Sequence, residues 1–329
     1  MRTVRSLPRP RPSIEARSTV TRWIPASRHG FNVSVTSPKA PERASAIVFP
    51  MPYDYRIDRL ALDRMEILAA RTNRTVVGVE SPGITLDEAD PVSASASSVR
   101  ADVLLAQIGG DYRPAASLQL SAIDDVLGGL PTELHLVGES LGAQFSAAIA
   151  GLIPCRSLTL VEPTNCVDRG WRGLLRQGKL LRTIEESRRD QYVAVNAQRG
   201  WPPTLPFEKS GSHAAAVDRR LKRFRHQGKY ALASALGMRK SLASSLERVD
   251  AGLDVVRVWR GIDSTVCLAA DVAVLSARMA PRLRVEETVM VLDGLPAGHH
   301  FLTEMDAMML FADTLAGDIR HPPETVASS

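Results

Sequence analysis

Short apolar, β-branched runs alternate with helical stretches along most of this 329-residue chain, and no other feature limits its folding options so strongly. Residues 45–49 (SAIVF) and 75–80 (TVVGVE) read as strands bounded by turn residues. Between them, residues 57–71 carry Leu60, Met65, Leu68 and Ala69 at a helical period. A second helix is expected over 116–130, stopped by Gly128 and Gly129 with Pro131 just beyond. Residues 135–138 (HLVG) form a very short buried strand, 141–153 (LGAQFSAAIAGLI) a helix rich in small residues, and 157–161 (SLTLV) the next strand. Strands at 255–259 (VVRVW) and 288–292 (TVMVL) and a final helix at 302–315 complete the series. Such alternation implies an α/β fold: a mostly parallel, twisted sheet covered by helices on both faces. Residues 19–23 and 32–36 fit an antiparallel edge hairpin.

Two stretches depart from this pattern. Residues 1–28 read as a tail, because Pro8, Pro10 and Pro12 oppose regular structure and seven arginines face the single Glu15. Residues 165–248 are polar and helical, broken by Trp201-Pro202-Pro203 and Pro206, and read as an insertion. The expected organisation is therefore a core of 29–164 and 249–320, a helical cap at 165–248 and a short tail at 321–329.

Composition removes several function classes. With 44% apolar and 23% charged residues the chain is globular, not disordered. Cys155, Cys166 and Cys267 make no CxxC pair and no closed disulfide set, which suits a reducing, cytoplasmic setting. Histidines are scattered without HExxH spacing, so neither a metal nor a cofactor is expected. No apolar run reaches the ~18–20 residues of a membrane span. The basic first residues lack the apolar core of a signal peptide.

Chemistry concentrates at Gly138-Glu139-Ser140-Leu141-Gly142, which follows a strand directly and opens a helix. GxSxG at such a place is a tight turn that pushes a serine hydroxyl out above a sheet. The helix N-terminus beneath it favours developing negative charge. A serine hydroxyl is a weak nucleophile and needs a base, itself held by an orienting group. Asp263 follows the strand at 255–259, and His299 and His300 follow the strand at 288–292 just before the last helix.

These features resemble the α/β-hydrolase superfamily over about residues 30–164 and 250–318. The elbow GESLG matches in full, and Ser140, Asp263 and His299/His300 occur in the order that family uses. Glu80-Ser81-Pro82-Gly83 is similar to the family's Asp-x-Pro-Gly, and Gly261-Ile262-Asp263 to its acid turn. Gly298-His299 with Glu304 resembles its Gly-His-x4-Glu segment, which points to His299, while His300-Phe301-Leu302 resembles a His-Phe-Leu variant and keeps His300 in play. Glu162 stands where some members place the acid, and ranks here below Asp263. A helical cap after the sixth strand is common in the family.

The resemblance implies a serine hydrolase that cleaves a carboxylic ester or thioester through an acyl-enzyme. The oxyanion would be held by backbone N–H groups of Leu141 and of the loop after the third strand. That loop reads Phe49-Pro50-Met51-Pro52 where the family usually has His-Gly-x-Pro. Prolines have no N–H, so Met51 is the expected second donor, with Tyr53 as the alternative. The departure also supports a second reading, a non-catalytic binding protein on the same fold.

Charge is unevenly spread. The net charge is +5, yet residues 165–248 hold eighteen basic and seven acidic side chains, densest at Arg219-Arg220-Leu221-Lys222-Arg223-Phe224-Arg225. A solvated helix face and an electrostatic funnel for an acidic substrate both fit this cluster. Only Phe224 and Tyr230 lie near it, which argues against a base-stacking nucleic-acid site. The expected partner is thus a small ester or thioester. Oligomeric state is left open.

Overall fold

The computed structural model describes residues 1–6, 19–24, 32–41, 45–51, 59–81, 100–201, 232–240, 242–250 and 252–320. Among them nine strands form one sheet: β1 Arg2–Ser6, β2 Thr19–Ile24, β3 Val33–Pro38, β4 Ser45–Pro50, β5 Thr75–Val79, β6 Glu133–Glu139, β7 Ser157–Val161, β8 Val255–Gly261 and β9 Arg284–Leu292. Their spatial order is β1-β9-β8-β7-β6-β4-β5-β3-β2. β2 and β3 pair antiparallel, as do β3 and β5; every other pair is parallel. This is the α/β architecture that the alternation implies, and the edge hairpin takes the place expected of it.

Among the described residues the helices described from end to end are α1 Arg59–Thr72, α2 Ala101–Ile108, α3 Arg113–Leu127, α4 Gly142–Ala150, α5 Trp171–Leu180, α6 Glu186–Gln198, α7 Ala243–Leu246, α8 Ala269–Met279 and α9 Met305–Arg320. A π-helical turn, Leu181–Glu185, links α5 to α6. α3 stops as the sequence predicts, with Gly128 in the left-handed region at φ 70°.

Strand residues alternate between two cores. Ile47 and Phe49 face the layer of α1 and α9, with Leu68, Met308 and Phe311, whereas Val48 faces α3 and α4, with Ala116, Ile123 and Phe145. Val76 and Val77 on β5 divide in the same way. Period-two alternation with apolar residues on both faces is what a sheet buried between two helical layers requires. Trp259 and Phe311 meet edge to face at 5.0 Å in one core, and Tyr112 and Phe145 at 5.5 Å in the other.

Residues 2–6 depart from the expected tail, since they form a strand. β1 pairs in parallel along β9, from Arg2 with Thr288 to Ser6 with Leu292. Residues 7–18 and 25–28, the Arg219–Arg225 run and residues 321–329 lie outside the described residues. Between β7 and β8 the described chain is mainly helical, as read from the sequence. Among the described residues no helix is long and apolar enough to cross a membrane.

Candidate active site

The carboxyl ends of the parallel strands bring the candidate residues together. β6 ends at Glu139 and α4 begins at Gly142, so Ser140 and Leu141 form the turn between them. Ser140 sits at φ 54°, a region that non-glycine residues seldom adopt. Its N–H donates to the Val161 carbonyl at 2.9 Å, which ties the turn to β7. A Cβ on Gly138 would lie 2.5 Å from the Gly142 carbonyl oxygen, and one on Gly142 would run into the Pro50 carbonyl. Both glycines are therefore demanded by close backbone approach. Glu139 is fixed by Arg64 of α1 at 2.8 Å, with both side chains buried.

His299 lies in the loop between β9 and α9, with its ring buried. Its Nε2 is 2.9 Å from Ser140 Oγ, and its Nδ1 is 3.1 Å from Glu162 Oε2. Glu162 accepts at Nδ1, so the network assigns the neutral ring's proton there and leaves Nε2 to accept from the serine hydroxyl. Glu162 is the residue just past β7 and takes φ 49°. Its N–H donates to the Trp259 carbonyl at 2.7 Å. Its carboxylate also accepts the Gly261 N–H at 2.5 Å and the Ser264 hydroxyl at 2.6 Å. Burial pushes the Glu162 carboxyl up from its ordinary range, against the opposing pull of His299, Ser264 and the Gly261 N–H.

The site differs from the sequence expectation in two respects. Asp263 does not contact the imidazole. Its Oδ2 accepts the Ala297 N–H at 2.9 Å, its own N–H donates back to the Ala297 carbonyl at 2.9 Å, and it is exposed. It thus staples the β8 turn to the loop two residues ahead of His299, and Glu162 holds Nδ1 in its stead. Met51 is the second difference. Its N–H donates to the Val79 carbonyl at 2.8 Å as an extra rung beyond β4 and is not available to an oxyanion in this arrangement. Pro52 and Tyr53 lie outside the described residues. Leu141 caps the N-terminus of α4, and its N–H meets no acceptor among the described residues.

His300 stands beside the pair rather than in it. Its ring meets that of His299 edge to face, with centroids 4.8 Å apart. Burial pushes its pKa well below the ordinary histidine range, and the charges of His299, Arg189 and Arg64 add to the effect.

Sequence reasoning did not single out Ser264 or Glu185. Ser264 adjoins the expected acid, so the turn was found but not its useful side chain. Glu185 accepts the His299 N–H at 2.7 Å from the end of the π-turn. Its only sequence signal is the polar spacing Glu185, Arg188, Tyr192, Asn196, Arg199. Part of the insertion's positive charge is used locally: Arg169 pairs with Asp271, Arg188 with Glu185, and Arg199 with Glu304 and Asp306. Among the described residues no group of three or more His, Cys, Asp or Glu side chains is placed to share a metal ion.

No protein-family model matches this chain, and no curated protein matches it. Solved structures do. A highly thermostable carboxyl esterase from Bacillus coagulans is similar at 12% identity and a TM-score of 0.53, over 93% of this chain and 99% of its own. A membrane phospholipase A, described as a bacterial virulence factor, is similar at 16% identity and a TM-score of 0.51, over 92% of this chain and 87% of its own.

Proposed function

The chain has the α/β-hydrolase fold, and we propose that on this fold it acts as a serine hydrolase of carboxylic esters or thioesters through Ser140, His299 and Glu162. The observation that carries this reading is the hydrogen-bonded series Ser140 Oγ–His299 Nε2 at 2.9 Å and His299 Nδ1–Glu162 Oε2 at 3.1 Å. The carboxyl-esterase and phospholipase names of the two neighbours are consistent with it.

In the first half-reaction His299 Nε2 takes the Ser140 proton as Oγ attacks the substrate carbonyl carbon. The carbonyl oxygen becomes an oxyanion facing the Leu141 N–H and the N-terminus of α4. Glu162 stabilises the imidazolium, and its bonds from Gly261 and Ser264 keep it aimed at Nδ1. His299 then gives its proton to the leaving alcohol or thiol, which departs and leaves an acyl-Ser140. In the second half-reaction the same imidazole deprotonates water, the acid is released and Ser140 recovers its proton.

Ser140→Ala is expected to abolish turnover of a short-chain p-nitrophenyl ester, and a fluorophosphonate is expected to label the wild type at Ser140. Retained turnover in the variant removes this reading. A second reading, a non-catalytic binding protein, is favoured by the engagement of the Met51 N–H with Val79. A wild type that neither reacts with the fluorophosphonate nor turns over the ester supports that one.

A further inference from the structure

The insertion between β7 and β8 is bonded to the histidine loop along one helix face. Glu185 closes the π-turn, and Arg188, Tyr192, Asn196 and Arg199 follow at intervals of three or four residues, which places them on one side. The Tyr192 hydroxyl donates to the Pro296 carbonyl at 2.6 Å and accepts the Gly298 N–H at 2.9 Å. The Asn196 amide donates to the Thr303 carbonyl at 2.7 Å and accepts the Met305 N–H at 3.1 Å. Arg199 reaches Glu304 and Asp306 at 2.5 Å each. The loop that carries His299 is thus splinted by a helix from outside the sheet and its covering layers.

Glu185 is the most telling member. Its side chain is fully buried, where an ionised carboxylate is costly to keep unless it is well bonded. Its Oε2 accepts the His299 N–H at 2.7 Å. Its Oε1 accepts the Thr265 N–H at 3.0 Å, the Thr265 hydroxyl at 2.7 Å and Arg188 Nη1 at 2.9 Å. A Cβ on Gly298 would strike Oε2, so the glycine ahead of His299 is what lets the carboxylate in. One carboxylate therefore joins the backbone of the base to the loop whose Ser264 bonds Glu162. It touches no reacting atom. A π-turn often accompanies a functional position, and this one ends on Glu185.

Resting on the Ser140–His299–Glu162 reading, we infer that Glu185 is a positioning residue for the reaction. It sets the register of the imidazole between Ser140 and Glu162 from within the insertion. The helical segment then supplies part of the catalytic geometry as well as any cover over the substrate.

Glu185→Gln tests this. The amide keeps one acceptor and turns the other into a donor, so either the His299 N–H or the Thr265 pair loses its partner. The expected result is a fall in kcat for a p-nitrophenyl ester of roughly 10–100-fold with KM within about twofold, as displacement of a catalytic group produces. The rate of fluorophosphonate labelling at Ser140 should fall in step. Glu185→Asp, one methylene shorter, should not restore it. Tyr192→Phe removes a hydroxyl from the same loop and should lower kcat a few-fold with the same unchanged KM; it serves if Glu185→Gln does not fold. Wild-type kcat and labelling rate in the folded Glu185→Gln variant, or in Tyr192→Phe if that one alone folds, overturn the inference, whatever happens to the unfolding temperature. A change in KM alone does the same. A wild type that is itself inert to ester and label is the different outcome in which the hydrolase reading fails first.

Discussion

The turns after β7 and after β8 each carry one carboxylate close to the histidine loop, and they use it in opposite ways. Glu162 follows its strand immediately, takes a left-handed backbone conformation and is fully buried, so its side chain is directed at His299 Nδ1. Asp263 comes two residues after β8, is exposed and bonds backbone at Ala297. The sequence pattern around Asp263 is the more familiar one. What separates the two is the backbone angle at the strand end and the extra methylene of glutamate. The buried carboxylate is bonded to a ring nitrogen, while the exposed one staples a loop.

The comparison is broken most sharply by exchanging carboxylates for amides. Glu162→Gln should lower kcat by roughly 1,000–10,000-fold, the scale of a triad acid's loss, because the amide no longer fixes the proton on Nδ1. Asp263→Asn keeps an oxygen acceptor for the Ala297 N–H and should stay within about threefold of wild type. Steady-state kinetics of both variants on one ester decide the matter. A large loss in Asp263→Asn together with a small one in Glu162→Gln would return the role to Asp263.

The α/β fold was legible because its central strands are short, apolar and β-branched, and because Gly128 marks a helix end where it should. β1 was not. Its sequence RTVRS has one apolar residue, Val4, among arginines, and it becomes a strand only because the free edge of β9 offers it partners. Ser140 was legible through its bracketing glycines and His299 through Gly298 and the helix behind it. The carboxylate bonded to His299 was legible only as the second choice: the resemblance offered Glu162, but no spacing rule reports that residue 162 adopts φ 49°. Nor does spacing report that the Met51 N–H is taken by Val79. The splint was visible only as a polar helix in a basic segment. Its net charge hid which arginines are committed to pairs within the protein.

A smaller effect sharpens the distinction between the two neighbouring histidines. His300 has its pKa pushed well below the ordinary range, so it stays neutral as pH falls through the window where an unperturbed histidine gains a proton. It therefore adds no protonation step to the rate in that window. The acid limb of kcat/KM against pH should therefore owe nothing to His300. His300→Asn should keep that limb in place and lower the plateau by no more than about threefold. A limb that moves or vanishes in this variant would make His300 part of the proton path.

The smallest expected effect concerns the staple itself. Asp263→Ala removes the acceptor for the Ala297 N–H but leaves the backbone bond from the Asp263 N–H to the Ala297 carbonyl. Because Asp263 is exposed, water can reach the freed amide and the loss should be about 1 kcal/mol or less. Urea unfolding of wild type and Asp263→Ala measures it, as a lower midpoint with an unchanged slope. If Asp263 only staples the loop, kcat should fall little, since Glu185 and Tyr192 still grip residues 296–299 from the other side. A loss of activity far out of proportion to this loss of stability would mean that one staple does what the splint is inferred to do, and would reduce the functional contrast between the two acidic turns to one of degree.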